Sequence, residues 1–205
     1  MPEIITPLPT LVAITLAAYL LGAIPFGLVV ARLFGLGDPR NIGSGNIGAT
    51  NVLRTGNKRA AALTLILDAG KGGVAVLIAR ALFGEDAAQI AGGAAFLGHL
   101  YPVYLGFKGG KGVATFLGTL LALAFPIGAA ACATWLVIAL LFRISSLSAL
   151  VASAAVPVFA LVLGHPQLVA LTVALAVLIF VKHRANIARL IAGTEPKIKL
   201  GSSKS

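Results

Sequence analysis

The sequence predicts an all-α protein that crosses a lipid bilayer several times, and three features of its 205 residues support this fold class. Hydrophobic residues make up 59% of the chain, charged residues only 11%, and the mean hydropathy is +1.00. Soluble domains average about 25% charged residues and could not bury so much apolar surface at this length. The apolar residues also form long continuous runs, which suit spanning helices and not the alternating strands of a barrel. This pattern excludes an ordinary soluble enzyme, a disordered chain and a disulfide-rich secreted module.

The apolar runs divide into seven predicted spans, each near the length of about 20 residues that a bilayer requires. The run 112–142 is too long for one crossing, and Pro126-Ile127-Gly128 provides a break between spans four and five. Gly164-His165-Pro166 stops the sixth span, and His165 is interpreted as a turn residue. The other predicted spans run from about Thr10 to Phe34, Ala60 to Phe83, Ala87 to Phe107, Leu147 to Leu163 and Leu168 to Lys182.

The basic residues predict the orientation, because cytoplasmic loops of membrane proteins carry an excess of Lys and Arg. The chain has 16 Lys and Arg against 6 Asp and Glu, a formal net charge of +10. An N-terminus outside and a cytoplasmic C-terminus leave Glu3, Glu85 and Asp86 outside, with Arg80 as the exception. The cations then assigned to the cytoplasmic side are Arg32, Arg40, Arg54, Lys58, Arg59, Lys108, Lys111, Arg143, Lys182, Arg184, Arg189, Lys197, Lys199 and Lys204.

The sequence also argues against nucleic-acid binding, cysteine-based sites and a cleaved signal peptide. No stretch combines basic residues with stacking aromatics, so nucleic acid is not predicted as a partner. Cys132 is the single cysteine, so neither a disulfide nor a cysteine-based zinc site is available. The first span does not resemble a cleaved signal peptide, because its flank carries Glu3 and its apolar run is too long. Residues 1–200 are predicted to form one membrane domain, with 201–205 a loose tail or cloning remnant.

A first glycine-rich loop covers residues 41–54. Gly43-Ser-Gly-Asn-Ile-Gly48 formally matches the dinucleotide fingerprint, but a membrane helix precedes it where that fingerprint needs a βαβ unit. Glycine still permits tight turns whose N–H groups converge on an anion, and an arginine offers a fork suited to phosphate. A flexible linker is the alternative, although a linker would not need so many small polar residues. The candidate anion-binding residues are Gly43, Ser44, Gly45, Asn46, Thr50, Asn51 and Arg54.

A second glycine-rich loop covers residues 106–112 and imitates a Walker loop. One residue is missing before Lys111, and Gly112 stands where Ser or Thr would bind magnesium. We therefore predict no nucleotide, no cofactor and no obligatory metal. Lysines among glycines at the start of a helix are still suited to bind an anion. The alternative is a flexible glycine-rich loop whose lysines only reflect its cytoplasmic location. The candidate contacts are Lys108, Gly109, Gly110, Lys111 and Gly112.

Polar residues within or beside the apolar runs complete the set. Asp68 and Lys71 lie three residues apart and so share a helical face. We expect them to form a structural pair or to enter the site, with Lys71 as the candidate substrate contact. His99 is polar within span three, and its role in packing or in function stays open.

Two more candidates lie at predicted loop boundaries. Ser146, in the short loop 143–146, either caps a helix or contacts a ligand. His183 and Asn186 share a face where the last span leaves the membrane, and Arg189 lies one step further along it. Beside two anion-binding loops, this position favours a contact role for both.

Taken together, these motifs resemble one family, the bacterial acyl-phosphate-dependent glycerol-3-phosphate acyltransferases of the inner membrane. The motifs that carry the resemblance are residues 43–54, 68–72, 98–115 and 183–187, and it extends from about Tyr19 to Thr194. The resemblance implies seven helices, an outside N-terminus and an active site on the cytoplasmic face. It also implies transfer of a fatty acyl group from acyl phosphate to the 1-hydroxyl of glycerol 3-phosphate. Lysophosphatidic acid and inorganic phosphate are then the products, and neither acyl-CoA nor acyl carrier protein takes part.

The resemblance also implies roles for individual residues. Ser44 and Arg54 match essential positions, Lys108 and Lys111 with their glycines match a phosphate-binding loop, and Ser146 matches a position that contacts phosphate. His183 and Asn186 match a third functional motif, so the predicted catalytic set is Ser44, Arg54, Lys111, His183 and Asn186.

Two phosphorylated substrates suit two anion-binding loops, and acyl phosphate is reactive enough for direct attack without an acyl-enzyme. The predicted proton acceptor is His183, if its pKa is unperturbed, or a substrate phosphate. The predicted partners are these two substrates and membrane lipids, with no obligatory protein partner. The rival hypotheses are a carrier for organophosphate or another anion, and a scaffold whose basic face binds anionic lipid.

Overall fold

The computed structural model describes residues 2–198, and within this range the chain is helical with no strand. The all-α prediction is therefore confirmed. Short 3₁₀ turns lie at Pro39–Asn41, Val103–Leu105 and Pro166–Leu168. The α-helices are α1 Leu8–Ala23, α2 Phe26–Leu33, α3 Ala49–Leu53, α4 Lys58–Phe83, α5 Glu85–Leu100, α6 Val113–Leu123, α7 Phe125–Phe142, α8 Ser145–Val162, α9 Val169–Lys182 and α10 Arg184–Ile191.

Among the described residues, four helical segments are long and apolar enough to cross a membrane. They are Leu8–Leu33, which joins α1 and α2, and the helices α4, α7 and α8. The pair α9 and α10, bent by 63° at their junction, makes a fifth if it is taken as one span. Helix α6 has 11 residues, about 17 Å in length, which is roughly half of the hydrocarbon core. Each predicted span coincides with a helix, and the crossing number of seven stays a prediction.

Two predicted boundaries are wrong. The third span ends at Leu100 and not at Phe107, because Pro102 cannot extend the helix and residues 101–112 form a loop instead. The break between spans four and five lies at Ala124, and Pro126 falls in the first turn of α7. A proline is tolerated there because the first helical N–H groups have no partner within the helix.

Small residues let the helices approach closely. A Cβ atom added to Gly22 of α1 would lie 2.0 Å from the Ala95 carbonyl oxygen of α5, and one on Gly118 of α6 would lie 2.0 Å from that of Ala69 in α4. Close packing through small residues is the usual way in which membrane helices associate, since lipid supplies no hydrophobic drive between them. The central core is made of Phe96, Leu100, Phe116, Leu120, Ile127, Leu175 and Ile179.

The break in the first span accounts for the buried charges of α4. Pro25 separates α1 from α2, and the Ile24 carbonyl accepts a hydrogen bond from Lys71 Nζ at 2.9 Å. Lys71 also pairs with Asp68 at 2.8 Å, and both side chains are only 1% exposed. An unpaired charge in a membrane helix would be costly, and Lys71 avoids this by its contacts with Asp68 and with the Ile24 carbonyl, which also accepts from the Phe26 N–H at 3.0 Å. Of the two predicted roles, these contacts favour the structural pair, and a substrate contact of Lys71 stays a prediction.

Candidate active site

Asn51 organises the first glycine-rich loop from its interior. The side chain of this residue donates through Nδ2 to the carbonyl oxygens of Pro39 (2.5 Å), Ile42 (3.1 Å) and Asn46 (2.8 Å). Its Oδ1 accepts from the backbone N–H of Ser44 at 3.2 Å, and the residue is 1% exposed. Since its amide is used within the loop, Asn51 shapes the loop, and its substrate contact stays a prediction.

Ser44 and Arg54 meet at this same amide oxygen. Arg54 Nη1 donates to Asn51 Oδ1 at 3.0 Å, and Ser44 Oγ lies 3.5 Å from it. A Cβ on Gly43, whose φ is +54°, would come within 2.6 Å of Arg54 Cδ, so glycine is required here. Gly45 also has a left-handed φ, +67°. The remaining guanidinium N–H groups of Arg54 make no hydrogen bond to any described residue, which leaves them free for an anion.

His99 holds the second glycine-rich loop against the bundle. Its carbonyl oxygen accepts from the Gly110 N–H at 3.1 Å, and a Cβ on Gly110 would lie 2.2 Å from its Nε2. Its Nδ1 lies 3.5 Å from Asp68 Oδ1. Gly112 has a φ of +81°, and a Cβ there would collide with Phe96. His99 thus connects the buried charges of α4 to the loop, which is a packing role.

Lys111 takes part in a hydrogen-bonded network with residues from the C-terminal part of the chain. Lys111 Nζ donates to Asn186 Oδ1 at 2.5 Å, and Asn186 Nδ2 donates to Glu195 Oε1 at 2.5 Å. Ser146 Oγ donates to the same carboxylate oxygen at 2.7 Å, and Arg189 Nε donates to Oε2 at 2.7 Å. Ser146 therefore does not cap its helix, and three distant parts of the sequence, around residues 111, 146 and 186–195, meet in one network.

The first loop joins the same end of the bundle through Thr50. Its hydroxyl lies 3.2 Å from that of Ser145, the first residue of α8 and the neighbour of Ser146. The predicted gathering of loops at one end is therefore present for both glycine-rich loops, the start of α8 and the end of α9. Lys108 does not join it, because its side chain is exposed and contacts no acceptor among residues 2–198. Asn46 points back to its own loop, where Oδ1 accepts from the Ile47 N–H.

His183 is neutral at physiological pH. Burial, at 2% exposure, and the nearby Lys111 charge lower its pKa to about 4, although the hydrogen bond to the Ile179 carbonyl opposes the shift. In the neutral ring, Nδ1–H donates to that carbonyl at 2.8 Å, which leaves Nε2 as a hydrogen-bond acceptor. The condition under which His183 was the predicted proton acceptor, an unperturbed pKa, is therefore not met, and sequence does not reveal the burial that lowers it.

The charged groups of the network shift the pKa values of one another. Burial lowers the pKa of Lys111 to about 8, an effect that Glu195 opposes and that Arg189 and Arg54 strengthen. Burial alone would raise the pKa of Glu195, but its hydrogen bonds from Ser146, from Asn186 and from Arg189 outweigh burial and hold that pKa below its ordinary value. The site therefore contains a carboxylate that stays ionised and an ammonium that titrates near physiological pH.

Glu195 is absent from the sequence-based candidates. Its signal in the sequence is weak: it is a single acidic residue after a Gly-Thr helix stop in an otherwise basic tail. Nothing in the local sequence links position 195 to position 111.

A bundle of apolar helices that gathers cations, amides and hydroxyls at one end defines an integral membrane protein with a candidate site for anionic ligands. The family model described as glycerol-3-phosphate acyltransferase matches residues 12–193. The chain belongs to the glycerol-3-phosphate acyltransferase family, which confirms the resemblance of the motifs.

Relatives and solved structures agree with this assignment. A glycerol-3-phosphate acyltransferase of Jannaschia sp. (strain CCS1) is 70% identical over 183 residues, which cover 89% of this chain and 90% of that protein. One of Dinoroseobacter shibae is 65% identical over 198 residues, which cover 97% and 98%. The crystal structure of PlsY (YgiH), an integral membrane glycerol 3-phosphate acyltransferase in its glycerol 3-phosphate form, superposes with a TM-score of 0.87 at 41% identity, over 93% of this chain and 96% of that one.

Proposed function

We propose that this protein transfers a fatty acyl group from acyl phosphate to the 1-hydroxyl of glycerol 3-phosphate, the first acylation step of phospholipid synthesis. The observation that carries the proposal is the network of Lys111, Asn186 and Ser146 beside the loop that presents Arg54. Both substrates carry a phosphate, and two glycine-rich loops with separate cations supply binding groups for two anions. The names of the relatives support glycerol 3-phosphate as the acceptor.

The reaction needs no covalent acyl-enzyme, cofactor or metal in this proposal. The glycerol hydroxyl oxygen attacks the acyl carbonyl carbon, the bond from that carbon to the phosphate oxygen breaks, and phosphate leaves with the electron pair. The cations and backbone N–H groups of the loops hold both phosphates in place, so positioning and electrostatics provide most of the rate. Ser44 and Arg54 serve from the first loop, Lys111 and its glycines from the second, and Ser146 and Asn186 from the helix ends.

The proton of the attacking hydroxyl ends on a phosphate oxygen. A base whose pKa is about 4, as in His183, retains a proton poorly at neutral pH. A phosphate monoester has a second pKa of about 6 and is the stronger base. His183 Nε2 then accepts a hydrogen bond from the hydroxyl and orients it, and a substrate phosphate takes the proton.

An apolar groove supports lateral entry of the acyl chain from the bilayer. It has a volume of about 410 Å³ and lies between α8 and α9. Its lining is apolar throughout and includes Phe180 and Val181, which precede His183 by only a few residues. A chain that lies in this groove would bring its carbonyl end towards the site. The lining residues are Ala154, Pro157, Val173, Ala176, Val177, Phe180 and Val181.

The proposal includes a placement in the membrane. Residues 1–200 form one domain with seven crossings, an outside N-terminus and the site on the cytoplasmic face of the bacterial inner membrane. The clustering of cationic loops around the site supports this orientation. Two of the cations assigned to that side, Lys199 and Lys204, and the tail 201–205 lie outside the described residues. Labelling of single cysteines introduced at Glu3 and Lys197 in a Cys132→Ser background tests it, because the two positions must react from opposite sides of intact membranes.

The function is tested with the purified protein in detergent, supplied with acyl phosphate and glycerol 3-phosphate. We expect release of inorganic phosphate and equimolar lysophosphatidic acid, and neither product when acyl-CoA replaces acyl phosphate. An anion carrier would release no phosphate, and a lipid-binding scaffold would form no product, so either result contradicts the proposal. Equal turnover with acyl-CoA would contradict the proposed donor.

A further inference from the structure

We propose that Lys182 is a positioning residue of this site: it ties the end of α9, which His183 follows, to the end of α5, from which the second glycine-rich loop departs. The inference rests on the proposed function and adds to it a residue for which the sequence predicts no more than a cytoplasmic position. Lys182 acts through the main chain of its neighbours and not on the reacting atoms.

The side chain of Lys182 turns back towards the bundle. A lysine at the end of a membrane helix ordinarily carries its ammonium outwards to the interface. Lys182 is the last residue of α9, but its Nζ donates to the Leu100 carbonyl oxygen at 2.9 Å, 82 positions earlier in the chain. The same Nζ lies 4.5 Å from the centroid of the Tyr101 ring, within the range of a cation–π interaction. Two contacts therefore hold the ammonium against the end of α5.

The end of α5 depends on partners from outside the helix, because the last carbonyl groups of a helix find no N–H group within it. The carbonyls of residues 99–101 are satisfied by three different segments. They accept, in chain order, from the Gly110 N–H of the second loop at 3.1 Å, from Lys182 Nζ at 2.9 Å and from the Tyr19 hydroxyl of α1 at 2.6 Å. Leu100 is fully buried, so water cannot replace the lysine as the donor to its carbonyl. Loss of Lys182 therefore loosens the point from which the loop departs.

The two segments that Lys182 joins also meet at the site. The second loop carries Lys111, whose Nζ donates to Asn186 Oδ1 at 2.5 Å. His183 directly follows Lys182 in the chain, so it moves with the end of α9. The contact with α5 thus fixes His183 relative to Lys111. A displacement of about 1 Å between such groups costs up to about 100-fold in rate.

The kinetic test compares wild type with Lys182→Met, which keeps much of the side-chain length and removes the donor and the charge. We expect kcat for phosphate release to fall about 10- to 100-fold, because the reacting groups lose their alignment. KM for glycerol 3-phosphate and for acyl phosphate should change less than about two-fold, because no substrate contact is removed. Lys182→Arg should recover most of the lost kcat, since a guanidinium also donates to a carbonyl and stacks on a ring. The control is Lys58→Met, an exposed lysine at the start of α4, which should keep wild-type kcat.

A second readout does not depend on turnover. Amide hydrogen exchange, measured by mass spectrometry in detergent without substrates, reports how firmly the second loop is held. Peptides that cover residues 101–112 should exchange faster in Lys182→Met than in wild type, and Lys182→Arg should restore the slower exchange. Peptides from the first loop, residues 41–54, should be unchanged. If Lys182→Met does not fold, Tyr101→Leu serves instead: it removes the ring and leaves the lysine, so kcat should fall about 2- to 5-fold, the size of a cation–π interaction.

The outcomes separate this inference from the proposed function. Unchanged kcat of the folded fraction in Lys182→Met would overturn the inference, whatever the change in thermal stability, while acyl transfer by wild type still supported the function. A rise in KM for either substrate at unchanged kcat would also overturn it, since Lys182 would then bind substrate phosphate. Absence of acyl transfer by wild type would contradict the function, and the exchange of residues 101–112 would still decide whether Lys182 holds the loop.

Discussion

The two ends of the bundle use similar residue types for different purposes. At the end remote from the site, Asp86 is 2% exposed, and its carboxylate accepts from the N–H groups of Ile5 (3.1 Å) and Thr6 (2.8 Å) and from the Thr6 hydroxyl (3.1 Å). Arg80 donates to Glu85 and to the carbonyl oxygens of Ala122 and Leu123, which end α6. Asp86 and Arg80 therefore both fasten one segment of the chain to another.

At the site end, the cationic side chains keep hydrogen-bond donors that no described residue accepts. Arg54 has one hydrogen bond to a neutral amide, and Lys111 has one to another, so each cation retains further donors. The carboxylate of Glu195 is the fully engaged member of this group. A charged group whose donors or acceptors are all hydrogen-bonded within the protein stabilises the fold. A cation that is fixed by one hydrogen bond and keeps unpaired N–H groups is available to a ligand. This difference predicts which substitutions alter turnover and which alter stability.

The largest effect is expected for Arg54→Ala. The variant loses a guanidinium that is fixed in place and keeps unpaired N–H groups. Removal of one hydrogen-bond donor that stabilises the charge of the transition state costs about 100- to 1,000-fold in rate. We expect kcat/KM for phosphate release to fall by that factor while the thermal unfolding midpoint in detergent changes little. The matched control is Arg59→Ala, an exposed cation five residues along, which should retain wild-type turnover. Equal losses in both variants would contradict a specific role for Arg54.

Asp86→Ala should produce the converse result. The change leaves the N–H groups of Ile5 and Thr6 without their acceptor, which costs about 1–3 kcal/mol. The free energy of unfolding in detergent should fall by that amount, and kcat/KM of the folded fraction should not change. Glu3→Ala, which removes an exposed carboxylate, is the control for the loss of charge alone. A large loss of turnover per folded molecule would show that the two ends are not separable.

Lys111→Arg is expected to change the pH dependence of turnover. Because the pKa of Lys111 is about 8 and binding needs the charged form, wild-type kcat/KM should fall as pH rises, to about one tenth of its plateau one unit above that value. A guanidinium stays charged throughout this range, so the variant should lose the basic limb up to pH 10. Persistence of the same limb in Lys111→Arg would assign it to another group.

The smallest effect is expected for Thr50→Val, which breaks the contact of the first loop with Ser145 at the start of α8. A single hydrogen bond of this kind contributes about 0.5–1.5 kcal/mol, so kcat/KM should fall by about 2- to 10-fold. Thr134→Val makes the same chemical change within α7, where the hydroxyl bonds to the Ala130 carbonyl of its own helix, and should have no effect on turnover. Identical results for the two would show that the loop is not positioned through Thr50.

Many of the candidate residues could be predicted from sequence because each glycine-rich loop is formed by residues that are close together in the chain. Glycines at left-handed positions such as 43, 45 and 112 and the cations beside them lie close together in the chain, so their spacing reveals an anion-binding turn. Arg54 and Ser44 are candidates on this ground, and the structure places them at one amide oxygen. The role of Asn51 could not be predicted, because a polar residue that faces into its own loop has the same sequence signature as one that faces a ligand.

Composition, the lengths of the apolar runs and the order of the motifs determined by themselves that this protein is an all-helical membrane protein of its family, since these properties are set by solvent and by neighbours along the chain. Only the tertiary structure decided that Lys71 donates to the Ile24 carbonyl beside Pro25, that burial lowers the pKa of His183, and that Glu195 returns to the network of Lys111. Each of these depends on which donor meets which acceptor across a large separation in sequence, and on how far water is excluded where they meet.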